Sequence, residues 1–164
     1  MPIISTDIKY RLSGGAANAD PTLSLGGAKS SVDAGSNLLD AVSSAEALAG
    51  DIEYRCYYIH NAHATLVLEN AVAWIQANTP SADTTLDIGV GTSAVNATEQ
   101  TVANENTAPT GITFVAAVNE AGAVALGNIP AGQHRAVWVR RTVNAGAAAS
   151  ADTATLTAKG DTQA

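Results

Sequence analysis

The sequence predicts an all-β fold, an antiparallel β-sandwich of about seven strands preceded by an irregular N-terminal arm. Three observations predict it. Gly50–Ile75 (GDIEYRCYYIHNAHATLVLENAVAWI) reads as two strands joined at the polar turn HNAH. A second strand-rich stretch, Asn128–Val143 (NIPAGQHRAVWVRRTV), follows a Pro/Gly turn near the C-terminus. Between and after them, short alternating segments are separated by turn residues at the spacing of a small sandwich.

The elements follow in chain order. Ile8–Leu12 suits one short strand. The segment behind it, SGGAANADPTLSLGGAKSSVDAGSN, is rich in Gly, Ala, Ser and Asn. So long a stretch without periodicity marks either a functional arm that orders on a neighbouring subunit or a disordered tail. Asn37–Ala49 admits a short helix or a loop. Leu38, Leu39, Val42 and Ala45 fall at helical spacing, Ser36 or Asn37 would cap its start, and Gly50 would end it. Residues 1–50 are therefore set apart as the arm, and residues 51–164 as the sandwich domain.

From Asp51 the period becomes two. In Glu53–His60, Tyr54, Cys56 and Tyr58 point one way and Arg55, Tyr57 and Ile59 the other. Thr65–Ile75 is a second strand, whose alternation falters at Asn70 as at a bulge. Thr84–Val90 is a third, with Leu86, Ile88 and Val90 on one face. A polar, turn-rich segment follows, GTSAVNATEQTVANENTAPTG, interrupted by a short strand at Gln100–Ala103. Ile112–Val118 and Ala123–Leu126 are read as short strands. Pro130-Ala131-Gly132 turns the chain into Arg135–Val143, and Thr153–Lys159 is the last strand.

Composition bounds the function. Of 164 residues, 46% are hydrophobic, but 34 are Ala, and large apolar side chains are few: one Phe, one Met, two Trp and four Tyr. Burial contributes roughly 25 cal/mol per Å² of apolar area, so Val, Ile, Leu and a few aromatics must build a thin core. Charged residues make up 14% and the net charge is −7, against a usual charged share of about 25%. A surface of Ala, Thr, Ser, Asn and Gly has few charges to desolvate on packing against other proteins, and is equally that of a neutral soluble protein. The acidic balance argues against a sequence-independent nucleic-acid binder, which needs a basic stripe. The lone Cys56 leaves no intramolecular disulfide. The opening MPIISTDIKYRLSGG lacks the basic start and apolar run of a signal peptide, and no run reaches the ~18 apolar residues of a membrane span. Synthesis in a cytoplasm, with no membrane partner, is expected.

Few residues suggest chemistry. Cys56 and His60 share a strand face with His63 just beyond, but a structural zinc site wants four ligands and no second Cys exists. His134 lies on a distant segment. Cys56 then reads as a small buried hydrophobe. Gly89-Val90-Gly91 lacks the other glycines and the helix of a phosphate loop. Asp83 and Asp87 lack calcium-loop spacing. Arg135, Arg140 and Arg141 form the one basic cluster, but Arg140 and Arg141 point to opposite faces of a strand and make no continuous patch. Asn96-Ala97-Thr98 fits a glycosylation acceptor that matters only outside the cytoplasm. No catalytic, cofactor-binding or metal-binding residue is assigned, and the chain is read as a non-enzyme without a cofactor. Trp74, Trp138, Tyr57 and Tyr58 are the aromatics a carbohydrate- or host-surface-binding module would expose, although core positions suit most of them.

The pattern EYRCYYIHN followed by a strand ending AVAWI resembles the strand–Asn–strand opening of many immunoglobulin-like modules, with a jelly-roll as the other sandwich type. More narrowly, LSGGAANADPTLSLGGAKSS, AEALAGDIEYRCYYIHN, DIGVGTSAVNATEQTVANENTAPTGITF and IPAGQHRAVWVRRTVNAGAAA are similar to small virion structural proteins of tailed bacteriophages. The resemblance spans nearly the whole chain and carries no catalytic signature. It implies a capsid decoration (cement) protein on the capsid exterior, partnered by the major capsid protein and by itself, with a trimer expected by analogy. A tail, neck or head-fibre subunit fits the same composition.

Overall fold

The computed structural model describes residues 2–148 and 152–162. Its regular structure is nearly all strand: β1 (Ile8–Leu12), β2 (Gly26–Gly27), β3 (Asp51–Asn61), β4 (Leu68–Ala77), β5 (Thr84–Val90), β6 (Glu99–Thr101), β7 (Val124–Ile129), β8 (His134–Val143) and β9 (Thr155–Asp161), with one short α-helix, α1 (Ser44–Ala49), among the described residues. A four-stranded antiparallel sheet, in the order β1-β3-β8-β5, packs on a three-stranded sheet, β7-β4-β9. The fold is an antiparallel β-sandwich. A small β2-β6 pair lies outside it.

The inner core joins the two sheets. Leu12, Tyr57, Ile59, Leu86, Ile88, Val137 and Val139 of the larger sheet meet Leu68, Ala71, Ala73, Ile75, Leu126 and Ile129 of the smaller one. The larger sheet is covered on its other face as well. Tyr54, Cys56, Tyr58, Ala136 and Trp138 form a second core, against which Leu25, Val102, Ile112 and Phe114 of the outer loops pack. Burial on both faces explains the sequence of β3, in which every residue from Glu53 to Ile59 is buried and apolar and polar residues do not alternate.

Residues 1–50, expected to form an arm, lie on the body of the sandwich. β1 pairs along β3 from Ile8↔Asn61 to Leu12↔Tyr57. Backbone bonds from Leu12, Ser30 and Ala34 lay residues 30–34 along the free edge of β1, closing an edge that would otherwise invite pairing. Where β1 ends, the edge of β3 continues under other partners: Cys56 N–H donates to Ser24 O at 2.8 Å and Tyr54 N–H to Glu105 O at 2.7 Å. Gly50 does end α1, with φ of 79°, but no break in packing coincides with it.

Several boundaries differ from the sequence reading. The helix begins at Ser44, not Asn37, because Ser43 caps it and Glu46 completes the capping box; Leu38 instead enters the core. β4 begins at Leu68, because residues 62–67 form a turn. The buried Asn61 amide there donates to Leu66 O (2.8 Å) and Ile129 O (2.9 Å). The irregularity at Asn70 is real: its φ is 49° and the register shifts between Leu68 and Ala71. Ile112–Val118, expected as a strand, forms an isolated bridge, Val115 to Ile88, and accepts one further backbone bond, from Ile75 N–H to Ala117 O at 2.8 Å. Its Ile112 and Phe114 turn to the outer core instead of joining the β5 edge in register.

Candidate functional site

The inner face of β3 and β8 carries charges where a sandwich core would be apolar. Glu53 and Arg141 stand opposite each other in the β3–β8 register, and their side chains form a buried ion pair. Arg55, two residues along the same face, is wholly buried. It pairs with Glu105 at the edge of β3 and lies 3.5 Å from Asp40. Arg141 reaches Asp40 as well, donating to its backbone carbonyl and lying 3.4 Å from its carboxylate. Two guanidiniums and three carboxylates thus fasten the segment before α1 and the loop after β6 to the sandwich.

The electrostatics of this cluster centre on Glu53. Burial raises its carboxyl to about 7; the charge on Arg141 opposes that shift, and Asp40 adds to it. The carboxylates of Asp40, Glu53 and Glu105 lie within 4.8 Å of one another, as do those of Glu46, Asp51 and Glu53. Both groups already have partners within the chain. Arg55 and Arg141 occupy the first. In the second, Glu46 accepts from Ser43 N–H at 2.6 Å and Asp51 from the Asn106 amide at 2.7 Å. The sequence carried only a partial signal, Arg55 on the strand face it shares with Tyr57 and Ile59; nothing local pointed to Asp40, Glu105 or Arg141 as its neighbours.

The residues singled out from sequence take other places. Cys56 lies in the outer core, and burial pushes its thiol up. His60 Nε2 donates to Gly132 O (3.2 Å), and burial holds the ring below its ordinary value. His63 Nδ1 accepts from the backbone N–H groups of Thr65 and Leu66, at 3.2 and 3.0 Å, and so belongs to its turn. His134, opposite His60 in the register, meets the Tyr58 ring edge-on at 4.8 Å; burial, with Lys29 and His60 adding to it, lowers it to about 4.

The arginine cluster divides as its strand positions require. Arg140, on the outer face, makes two hydrogen bonds to Asp87 (2.6 and 3.1 Å) and lies over Phe114. Arg141 goes to the inner cluster. Arg135 holds the loop after β5 through Ser93 O and Gly91 O. Asp83 lies apart from Asp87: its carbonyl accepts from Asn144 N–H. Of the aromatics, Trp138, Tyr57 and Tyr58 are fully buried, and Trp74 packs against the inner core, so these rings do not form an exposed sugar platform.

The outer layer has its own anchor. Tyr58 donates to Gly27 O at 2.5 Å and accepts from Glu99 N–H at 3.0 Å, tying β3 to both strands of the small pair. The Glu99 carboxylate accepts from Ser93 N–H at 3.0 Å, Thr92 N–H at 3.3 Å and the Thr92 hydroxyl at 3.1 Å. Burial works against its ionisation, but these donors outweigh it and hold the carboxyl below its usual value.

Between the sheets lies a cavity of about 920 Å³, lined by residues of β1, β3, β5, β8 and β9 and by the segment from Asp33 to Ser44. No helix among the described residues is long and apolar enough to cross a membrane. No family model, curated protein or solved structure matches the chain.

Proposed function

We propose that this protein is a non-enzymatic structural subunit of a bacteriophage virion, binding the outer shell as a capsid decoration protein and bracing neighbouring capsomers. The observation that carries the reading is how the buried polar groups are used. Arg55, Arg141, Glu99, Tyr58 and Asn61 all hold loops and the N-terminal segment onto the sandwich. Such a construction suits a rigid block whose work is done by its surface. The similarity of the sequence to phage virion proteins supplies the setting.

The low-charge surface supports docking, with Ile4, Leu23, Leu48, Ile52, Val115 and Val118 among its exposed apolar groups. A subunit that binds only the assembled shell stabilises it by mass action. Because residues 2–36 are fastened to their own sandwich, contact with the shell falls to the surface of the folded unit in this reading, with no free arm crossing a seam.

Cosedimentation tests it. The purified protein is mixed with expanded capsid shells assembled in its absence. Saturable binding at a fixed number of copies per shell is expected, with a gain in shell melting temperature. Failure to bind would remove the proposal; a label found on tails alone in imaged virions would replace it with a tail or neck role.

A further inference from the structure

We propose that His60 and His134 form an acid-sensitive latch: protonation of the pair releases the β2–β6 layer from β3 and β8 and leaves the inner core folded. This goes beyond the structural role and does not rest on it.

Position is the first argument. His60 and His134 stand opposite each other at the end of the β3–β8 register, with His60 on the strand face it shares with Tyr58. The Tyr58 and His134 rings meet edge to face, with centres 4.8 Å apart. The hydroxyl of the same Tyr58 donates to Gly27 O of β2 and accepts from Glu99 N–H of β6. The loop before β6 also rests on this residue, because Asn96 N–H donates to His134 O at 2.8 Å. A shift of the His134 ring is thus passed directly to both strands of the small pair.

Solvation is the second argument. The Nδ1 atoms of both rings are closed to solvent and have no hydrogen-bond partner among the described residues. His60 Nε2 donates to Gly132 O, so Nδ1 is its bare nitrogen and receives any added proton. The new N–H would be a buried donor without an acceptor. The Nδ1–H of a His134 imidazolium would be another. Each favours a conformation that lets water in.

The surrounding charges are the third. Burial disfavours the proton on both rings, and Lys29, from the segment after β2, adds to it. Arg11 of β1 acts the same way on His60, as His60 does on His134. Lys9 stands opposite His60 in the β1–β3 register. Asp33 favours the proton on His60 but is already paired with Arg11 at 3.0 Å. A hydrogen bond to the Ala97 backbone favours it on His134. Glu99 of β6 is turned to Thr92 and Ser93. Lys29 belongs to the layer that moves, so its repulsion from two imidazoliums acts in the opening direction.

The sign follows. Rings held below their ordinary value stabilise the closed form above 6.5, and that contribution is lost as pH falls towards about 4, the value for His134.

Hydrogen exchange on the full chain, read as protection factors from about pH 7 to about pH 5, tests the latch. The Glu99 amide, which donates to Tyr58, should lose about tenfold in protection. That is less than the whole His134 shift would give, because solvent partly screens a half-buried ring. The amides of Ile88 and Val139 in the inner core should lose none. Glu99 stays ionised over this window, since its carboxyl is held below its usual value. In the double variant His60→Gln, His134→Phe the fall at Glu99 should vanish. Equal loss at Ile88 and Val139 would mean global unfolding and would overturn the proposal. So would a Glu99 amide that keeps its protection, or a double variant that opens as the unsubstituted protein does. Ring-proton NMR of the unsubstituted chain gives a second reading that needs no variant. Both rings should titrate below 6.5, and midpoints at or above that value would overturn the latch.

Discussion

Glu53 and Arg141 face each other across β3 and β8 inside the sandwich, an ion pair placed where the neighbouring register positions hold Tyr57, Val137 and Val139. Taking two charges out of water is costly unless each is matched. Here the matching groups, Asp40 and Arg55, come from the N-terminal half and complete the cluster.

Stability should therefore depend on pH through Glu53. Its carboxyl is raised from 4.5 to about 7 in the folded protein, so the folded state binds the proton more tightly than the unfolded one. The stability this provides is fully present below about 4.5 and is lost as pH rises through about 7. Glu53→Gln should flatten that slope in urea titrations run across this window. Arg141→Met leaves Glu53 unmatched and should cost on the order of 3 kcal/mol above neutrality, and less in mild acid, where Glu53 is protonated. A loss independent of pH would refute the assignment.

Glu99 should act with the opposite sign. Its carboxyl is held below the usual value, so its contribution is present above the ordinary carboxyl range and is lost as pH falls through the folded value. Glu99→Ala removes the acceptor for Ser93 and Thr92, and a cost of about 2 kcal/mol is expected at neutral pH. Hydrogen exchange at those two amides should rise most.

Gly26→Ala tests the outer layer from the other side. Gly26 has φ of 92°, and a Cβ there would overlap the carbonyl oxygen of Gln100. The expected result is loss of the β2–β6 pairing, with destabilisation of more than about 1 kcal/mol, while the inner core keeps its exchange protection. Destabilisation below a few tenths of a kcal/mol would show that the pair is not held as described.

Removal of residues 2–36 should abolish cooperative unfolding. It deletes β1, Leu12 and the Ser13 hydroxyl, which donates to Cys56 O at 2.9 Å, and exposes the edge of β3. A truncated chain with a sharp melting transition would instead restore a domain boundary at Gly50.

Cys56 should be inert while the protein is folded. It is fully buried and its thiol is raised by burial, so a thiol reagent at neutral pH should label it only as fast as the chain unfolds. Rapid labelling without denaturant would contradict its place in the outer core.

The sequence by itself determined the all-β class, most strands and the opposed faces of Arg140 and Arg141, because a period of two and turn residues are local properties of a strand. It also placed Asn70 at an irregularity and Gly50 at the end of a helix, both matters of backbone conformation within a few residues. Tertiary structure alone decided that the Gly-rich segment of residues 13–36 belongs to the domain. Its anchors, such as Ser24 on Cys56 and Asp33 across from Arg11, are backbone contacts between residues far apart, which no periodicity records. The same holds for the cluster around Glu53. Asp40, Glu53, Arg55, Glu105 and Arg141 are ordinary charges in the sequence. Only the register of β3 on β8, and the loops laid across them, brings them out of water together.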